Sequence, residues 1–163
     1  MEKRKSVFIV DDNELYSMML DYILSKDSKY QFLSFKSGEE CIESLYLKPE
    51  VIILDYGLPG MDGYDTLLEI KKLHPDIHVI MLSNSTDTDL AAKLLRAGAD
   101  DYVLKQSLGE KLIIEKIEAI LIRDEMEKET HTEIREKFFM NNIFYVILII
   151  IVLSIGLVYL KEH

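Results

Sequence analysis

Through the first 122 residues, short unbroken apolar runs alternate with stretches whose apolar positions recur every three or four residues. The runs at 7–10, 31–35, 51–54, 78–82 and 102–104 are rich in branched and aromatic residues and predict strands. Between the first two, 14–25 carries Leu15, Met18, Met19, Tyr22 and Ile23 at helical spacing. Ser37-Gly38-Glu39-Glu40 has the hydroxyl-to-acid spacing of a capping box and opens a second helix. A third helix spans about 64–73 and ends before Pro75. Thr86-Asp87-Thr88-Asp89 repeats the cap spacing ahead of a helix through Arg96, which Gly98 stops, and Ser107-Leu108-Gly109-Glu110 repeats it before a last helix. Five strands, each followed by a helix, predict an α/β fold with a doubly wound parallel sheet covered on both faces.

In such sheets ligands bind beyond the carboxyl ends of the strands. Here those ends carry Asp11 and Asp12, Asp55, Ser83 and Lys105, so one site collects three acids, a hydroxyl and an amine from four strands. Carboxylates brought together repel, and some take up protons unless a cation neutralises them. Oxygen ligands at this charge density suit Mg2+ or Mn2+. Neither a histidine nor Cys41 lies on these ends, which argues against zinc. With a metal present, Asp55 is a nucleophile for phosphorus, forming an acyl phosphate. Lys105 supplies a point charge and Ser83 a hydrogen bond to phosphoryl oxygens. The turn Leu58-Pro59-Gly60 holds the backbone beside Asp55 and brings the Gly57 carbonyl within reach of the metal.

Charge and composition narrow the picture. The formal net charge of −10 over 163 residues offers no basic patch for nucleic acid. A lone Cys41 excludes an intramolecular disulfide and reads as a small, partly buried helix residue. The apolar run after the N-terminal basic residues is too short for a signal peptide. At the other end, 143–160 has no charged residue, and the uncharged window extends back to Phe138. At 1.5 Å per residue it spans roughly 27 to 34 Å, which predicts a transmembrane helix over 138–160. The polar stretch 123–137 has favourable acid-to-base pairs at Asp124/Lys128 and Glu133/Lys137, and reads either as a helix or as a disordered charged linker. Arg123, Lys128, Arg135 and Lys137 outnumber the single Lys161 beyond the apolar window. This bias predicts a tail-anchored, single-pass topology with residues before Phe138 in the cytoplasm and a short tail at 161–163.

The motifs IVDDN, LDYGLPGMDG, LSNS and DYVLK, in this order, resemble the receiver domain of two-component response regulators, over roughly residues 5 to 122. The resemblance implies a flavodoxin-like sheet of order 2-1-3-4-5, with Asp55 as phosphoacceptor. It also implies that Asp12, Asp55 and the Gly57 carbonyl ligate Mg2+ with Asp11 in support. Ser83 is then the switch hydroxyl, Lys105 the phosphate-binding lysine and Tyr102 the switch aromatic. The face of the fourth helix, fifth strand and fifth helix would repack on phosphorylation and serve as a surface for homodimerisation. Two positions depart from the family: Asn84 stands where a small residue is usual, which alters rates in either direction, and Gln106 stands where a proline follows the lysine. A cis bond before a non-proline costs about 3 kcal/mol, so a trans loop is expected at Gln106. The implied function is non-enzymatic: a membrane-anchored single-domain response regulator, phosphorylated by a histidine kinase or histidine phosphotransfer protein, that changes its contact with a downstream protein. The alternative is a membrane-localised adaptor that uses the same fold without phosphorylation.

Overall fold

The computed structural model describes residues 4–107 and 109–162, and the side chains among them except those of 110, 148, 149 and 151–162. In order, the elements are β1 (Lys5–Val10), α1 (Glu14–Ser25), β2 (Tyr30–Phe35), α2 (Gly38–Glu43), β3 (Val51–Asp55), α3 (Gly63–Leu73), β4 (His78–Ser83), α4 (Thr88–Arg96), β5 (Asp101–Leu104) and α5 (Glu110–Glu162). Short 3-10 turns lie at Leu45–Leu47 and Lys105–Ser107. The five strands form one parallel sheet in the expected order β2-β1-β3-β4-β5. The chain divides into two compact units, Met1–Leu121 and Ile122–His163.

Strand alternation explains the layers of the first unit. Val7 and Ile9 of β1, with Ile53 and Val51 of β3, pack with Leu20, Ile23 and Leu24 of α1 and with Ile113 and Ile117 of α5. Phe8 and Val10, with Ile52 and Leu54, pack on the other face with Cys41, Leu67, Ile70 and Leu94. Both faces of β1, β3 and β4 are therefore buried, and these strands read as near-continuous apolar runs. Cys41 is wholly buried rather than partly, and burial pushes its thiol up to about 12, which leaves it inert.

The inward face of α1 corrects the sequence reading. Leu15, Met18 and Tyr22 are exposed, whereas Ser17, Leu20, Ile23 and Leu24 are buried. The helix is apolar nearly all round, so spacing alone does not select a face. The buried face is the one that carries Leu20, Ile23 and Leu24 into the core, where the Ser17 hydroxyl donates to the Asp11 carbonyl at 3.3 Å. Two caps also differ. Ser37 accepts from the Glu40 N–H as expected, but the Glu40 carboxylate accepts from the Lys36 N–H instead of completing the box. The cap of α4 is Asp87, which accepts from the Asp89 N–H, and not Thr86. The expected cap before α5 includes Leu108, outside the described residues.

In the second unit, residues 123–137 are helical, with the i,i+4 ion pairs Lys128–Asp124 at 2.6 Å and Lys137–Glu133 at 3.8 Å. Among the described residues, no helix is long and apolar enough to cross a membrane. Most of the side chains in the predicted span, 148, 149 and 151–160, lie outside the described residues.

Candidate functional site

Three strand ends meet at the carboxyl edge of the sheet. Asp11 follows β1, Asp55 closes β3 and Lys105 follows β5; Asp11 and Asp55 are buried, and the Lys105 side chain is only 10% exposed. Lys105 Nζ lies 2.6 Å from Asp11 Oδ2 and 2.9 Å from Asp55 Oδ2. Asp12 is exposed at the rim, and one carboxylate oxygen from each of Asp11, Asp12 and Asp55 lies within 4.8 Å of the other two. All three acids predicted from the strand ends thus converge, and the predicted lysine joins them.

The backbone is fixed around this cluster. The Asn13 N–H donates to Asp11 Oδ1 at 2.9 Å, and the Asn13 side chain caps α1. Gly63 opens α3 so close to Asp55 that a Cβ there would stand 2.2 Å from the Asp55 carbonyl oxygen. The intervening turn puts Gly60 at φ +76, a left-handed conformation that favours glycine, and Glu39 of α2 accepts the Met61 N–H at 3.0 Å. Gly57 borders the acids: a Cβ there would lie 3.6 Å from Asp55 Oδ2.

The electrostatics of the cluster are those of buried like charges. Burial raises the Asp11 carboxyl above the usual range, and the Asp55 charge adds to this, against the pull of Lys105 and the Asn13 N–H. For Lys105 burial works to lower its pKa, but its bonds to Asp11 and Asp55 outweigh that and raise it. The Asp11–Lys105 contact is an ion pair: among the described residues, Asp11 Oδ2 accepts no well-directed hydrogen bond. An oxygen left in this state, beside two further carboxylates, fits a hard divalent cation. One lysine does not neutralise three acids.

Ser83 ends β4 and is buried. Its Oγ accepts the Ser85 N–H at 3.1 Å, the Ser85 carbonyl accepts the Tyr102 hydroxyl, and Ser85 Oγ accepts the N–H of Asp87, the α4 cap. Tyr102 is half-buried on β5. A hydrogen-bonded path therefore runs from Ser83 through Ser85 to Tyr102 and to the start of α4. Asn84 and Gln106 are both exposed. Among the described residues every peptide bond is trans, as expected at Gln106. Sequence reasoning missed Asn13, Ser85 and Tyr16. Only Asn13 carried a local signal, an amide immediately before an amphipathic run.

A five-stranded doubly wound parallel sheet of order β2-β1-β3-β4-β5, with acids and a lysine at its carboxyl edge, has the flavodoxin-like form of a receiver domain. The family model for the response regulator receiver domain matches residues 7–118, and the chain belongs to that family, the receiver-bearing regulators of two-component signalling. Over 102 residues the chain is 32% identical to the chemotaxis protein CheY of Thermotoga maritima, covering 62% of this chain and 85% of that one. It is 35% identical over 104 residues to the DNA-binding transcriptional regulator NtrC of Klebsiella pneumoniae, 63% of this chain but only 22% of that regulator's length. The crystal structure of a CheY-like response regulator receiver domain protein from Methanospirillum hungatei JF-1 superposes with a TM-score of 0.72 at 26% identity, covering 77% of this chain and 99% of that one.

Proposed function

We propose that the chain is a membrane-anchored response regulator in which Asp55 accepts a phosphoryl group from a histidine kinase or histidine phosphotransfer protein. The observation that carries this reading is the convergence of Lys105 Nζ on Asp11 Oδ2 and Asp55 Oδ2, at 2.6 and 2.9 Å, with Asp12 close by. Asp11, Asp12, Asp55 and the Gly57 carbonyl would hold Mg2+. When bound, the ion neutralises the acids and the charge of the incoming phosphoryl oxygens. An Asp55 carboxylate oxygen attacks phosphorus as the bond to the donor's imidazole nitrogen breaks. Lys105 then exchanges an acid partner for a phosphoryl oxygen, and Ser83 donates its hydroxyl to another. That displacement releases the Ser85 N–H from Ser83 Oγ and loosens the Tyr102 tether and the α4 cap together. The α4–β5–α5 face is then the two-state element read by a downstream protein or by a second copy of the chain.

Support for the membrane anchor comes from the apolar window of the sequence and from α5 itself. Consecutive apolar side chains from Ile143 to Ile147 are exposed, as are Phe138 and Phe139. At 100° per residue, five consecutive positions face every direction, an arrangement that water disfavours and lipid accommodates. The charge bias before 138 favours a cytoplasmic receiver.

The test is intact mass of the full chain in detergent micelles after acetyl phosphate and Mg2+, with Asp55→Asn alongside, and carbonate extraction of expressing membranes. A phosphoryl adduct that needs both Mg2+ and Asp55, on a carbonate-resistant protein, is the expected result. No adduct on folded protein would refute the phosphoacceptor role and favour an adaptor that works without phosphorylation. Release by carbonate would refute the anchor.

A further inference from the structure

We propose that Tyr16 is a positioning residue for Lys105, holding the lysine at both of its ends so that its ammonium stays over the acid pair. The Tyr16 hydroxyl donates to the Lys105 backbone carbonyl at 3.3 Å, and Lys105 Nζ lies 4.7 Å from the centroid of the Tyr16 ring. Both contacts join residues 89 positions apart, on α1 and after β5. The second distance is within the range in which an ammonium is attracted to an aromatic face.

Tyr16 is itself anchored to the acids. Its N–H is accepted by the Asn13 cap, and Asn13 donates its own N–H to Asp11. The contacts therefore close a ring: Asp11 to Asn13, Asn13 to Tyr16, Tyr16 to Lys105, and Lys105 back to Asp11. Gln106 is exposed and lacks the ring that fixes φ in proline, and a lysine side chain is a flexible four-carbon stem. Tyr16 restrains Lys105 twice, gripping the main chain with its hydroxyl and the ammonium with its face.

The consequence for chemistry rests on the phosphoacceptor reading of Asp55. To engage a phosphoryl group, Lys105 has to leave one acid and move a short way. The ring face gives the ammonium a partner that does not compete with phosphate, and so confines it to an arc that passes over Asp55. A residue that merely fills space beside α1 would have no such dependence on Lys105.

The experiment uses the full chain in detergent micelles as Tyr16→Phe, Tyr16→Leu, Lys105→Met and the double variant Tyr16→Leu/Lys105→Met. The initial rate of the Asp55 adduct with acetyl phosphate and Mg2+ is expected to fall about threefold in Tyr16→Phe, which loses the hydroxyl bond alone. It is expected to fall about tenfold in Tyr16→Leu, which also loses the ring face. In the Lys105→Met background, Tyr16→Leu is expected to change the rate by less than about twofold, because its partner is gone. A second arm needs no phosphodonor: Lys105 acetylation by an amine-reactive acylating reagent, read by peptide mass, is expected to quicken severalfold in Tyr16→Leu. Equal slowing by Tyr16→Leu with and without Lys105, or unchanged Lys105 acetylation, would overturn the assignment. If the parent chain forms no adduct, the phosphoacceptor reading fails, and the acetylation arm still decides whether Tyr16 holds Lys105.

Discussion

Replacing Lys105 with methionine leaves Asp11 and Asp55, both buried, facing each other without the ammonium that now sits 2.6 and 2.9 Å from them. At an effective dielectric of about 20, each contact is worth about 6 kcal/mol before desolvation. Burial of the lysine returns part of that sum, and the net effect of stripping one partner from a buried ion pair is about 3–5 kcal/mol. Methionine keeps much of the stem, so little of the loss comes from packing. The second half of the prediction concerns Mg2+. On the proposed reading a metal in the parent chain would compete with the Lys105 ammonium for Asp11 and Asp55, whereas in Lys105→Met it would meet uncompensated acids. Mg2+ should therefore stabilise the variant more than the parent, by an amount that grows with the logarithm of its concentration.

The assay is urea unfolding of the full chain in mild detergent, followed by near-ultraviolet circular dichroism. With nine tyrosines and no tryptophan, the signal reports tertiary packing around the tyrosines. In EDTA at neutral pH, Lys105→Met should lose about 3–5 kcal/mol, and millimolar Mg2+ should restore a larger share to it than it adds to the parent. A loss under about 1 kcal/mol, the range of an exposed pair, would refute the reasoning. So would equal stabilisation of both proteins by Mg2+.

Three further outcomes follow from other parts of the fold. Asp100 accepts from the Val79 N–H at 2.9 Å and sits 2.8 Å from His78 Nδ1 and 3.3 Å from Lys71 Nζ; burial acts to raise its carboxyl, but these partners outweigh it and hold it at about 2. A depressed acid stabilises the fold above its unfolded pKa, and loses that contribution as pH falls from about 4 towards 2, so Asp100→Asn should cost about 2 kcal/mol at pH 7 and little at pH 2; equal losses at both pH values in urea unfolding would contradict this. Gly63→Ala places a Cβ 2.2 Å from the Asp55 carbonyl oxygen, and should cost about 3 kcal/mol and displace the phosphoacceptor; unchanged unfolding and adduct formation would show that the α3 start yields freely. Tyr102→Phe removes the hydroxyl bond to Ser85, and should cost about 1 kcal/mol while the Asp55 adduct still forms; an adduct lost with the hydroxyl would make Tyr102 part of the chemistry rather than of the switch.

What the sequence disclosed follows from the range of each interaction. The strands, their buried faces and the acids at their ends are local patterns: β3 is an apolar run that closes on Asp55, and the run alone states where the acid lies. The face of α1 is not local. Leu15, Met18 and Tyr22 have the same spacing as Ser17, Leu20 and Leu24, and packing against the sheet, joined by the bond from Ser17 to the Asp11 carbonyl, separates them. Tyr16 was illegible for a related reason, since its partner lies 89 residues away. Ser85 reaches Ser83 and Tyr102 through its backbone N–H and carbonyl, which no side-chain pattern reveals. Contacts made across the sheet or by the main chain leave no trace in spacing.

The same reasoning explains why the acid site sits where it does. Asp11 is raised by burial even with Lys105 and the Asn13 N–H beside it, so the fold holds a carboxylate in a place that disfavours its charge. Nothing in a hydrophobic core requires that arrangement, and an apolar residue after β1 would cost less. The sheet tolerates it because Val7 to Val10 and Ile52 to Leu54, immediately before the acids, are fully buried and hold both strand ends in register. On the phosphoacceptor reading, this cost is what makes the site responsive. On that reading a divalent cation would relieve the repulsion and a phosphoryl group on Asp55 would redirect Lys105, and the shift would pass through Ser83 and Ser85 to Tyr102, which are already bonded in series. A cluster that was comfortable without its ligands would have little free energy to transmit.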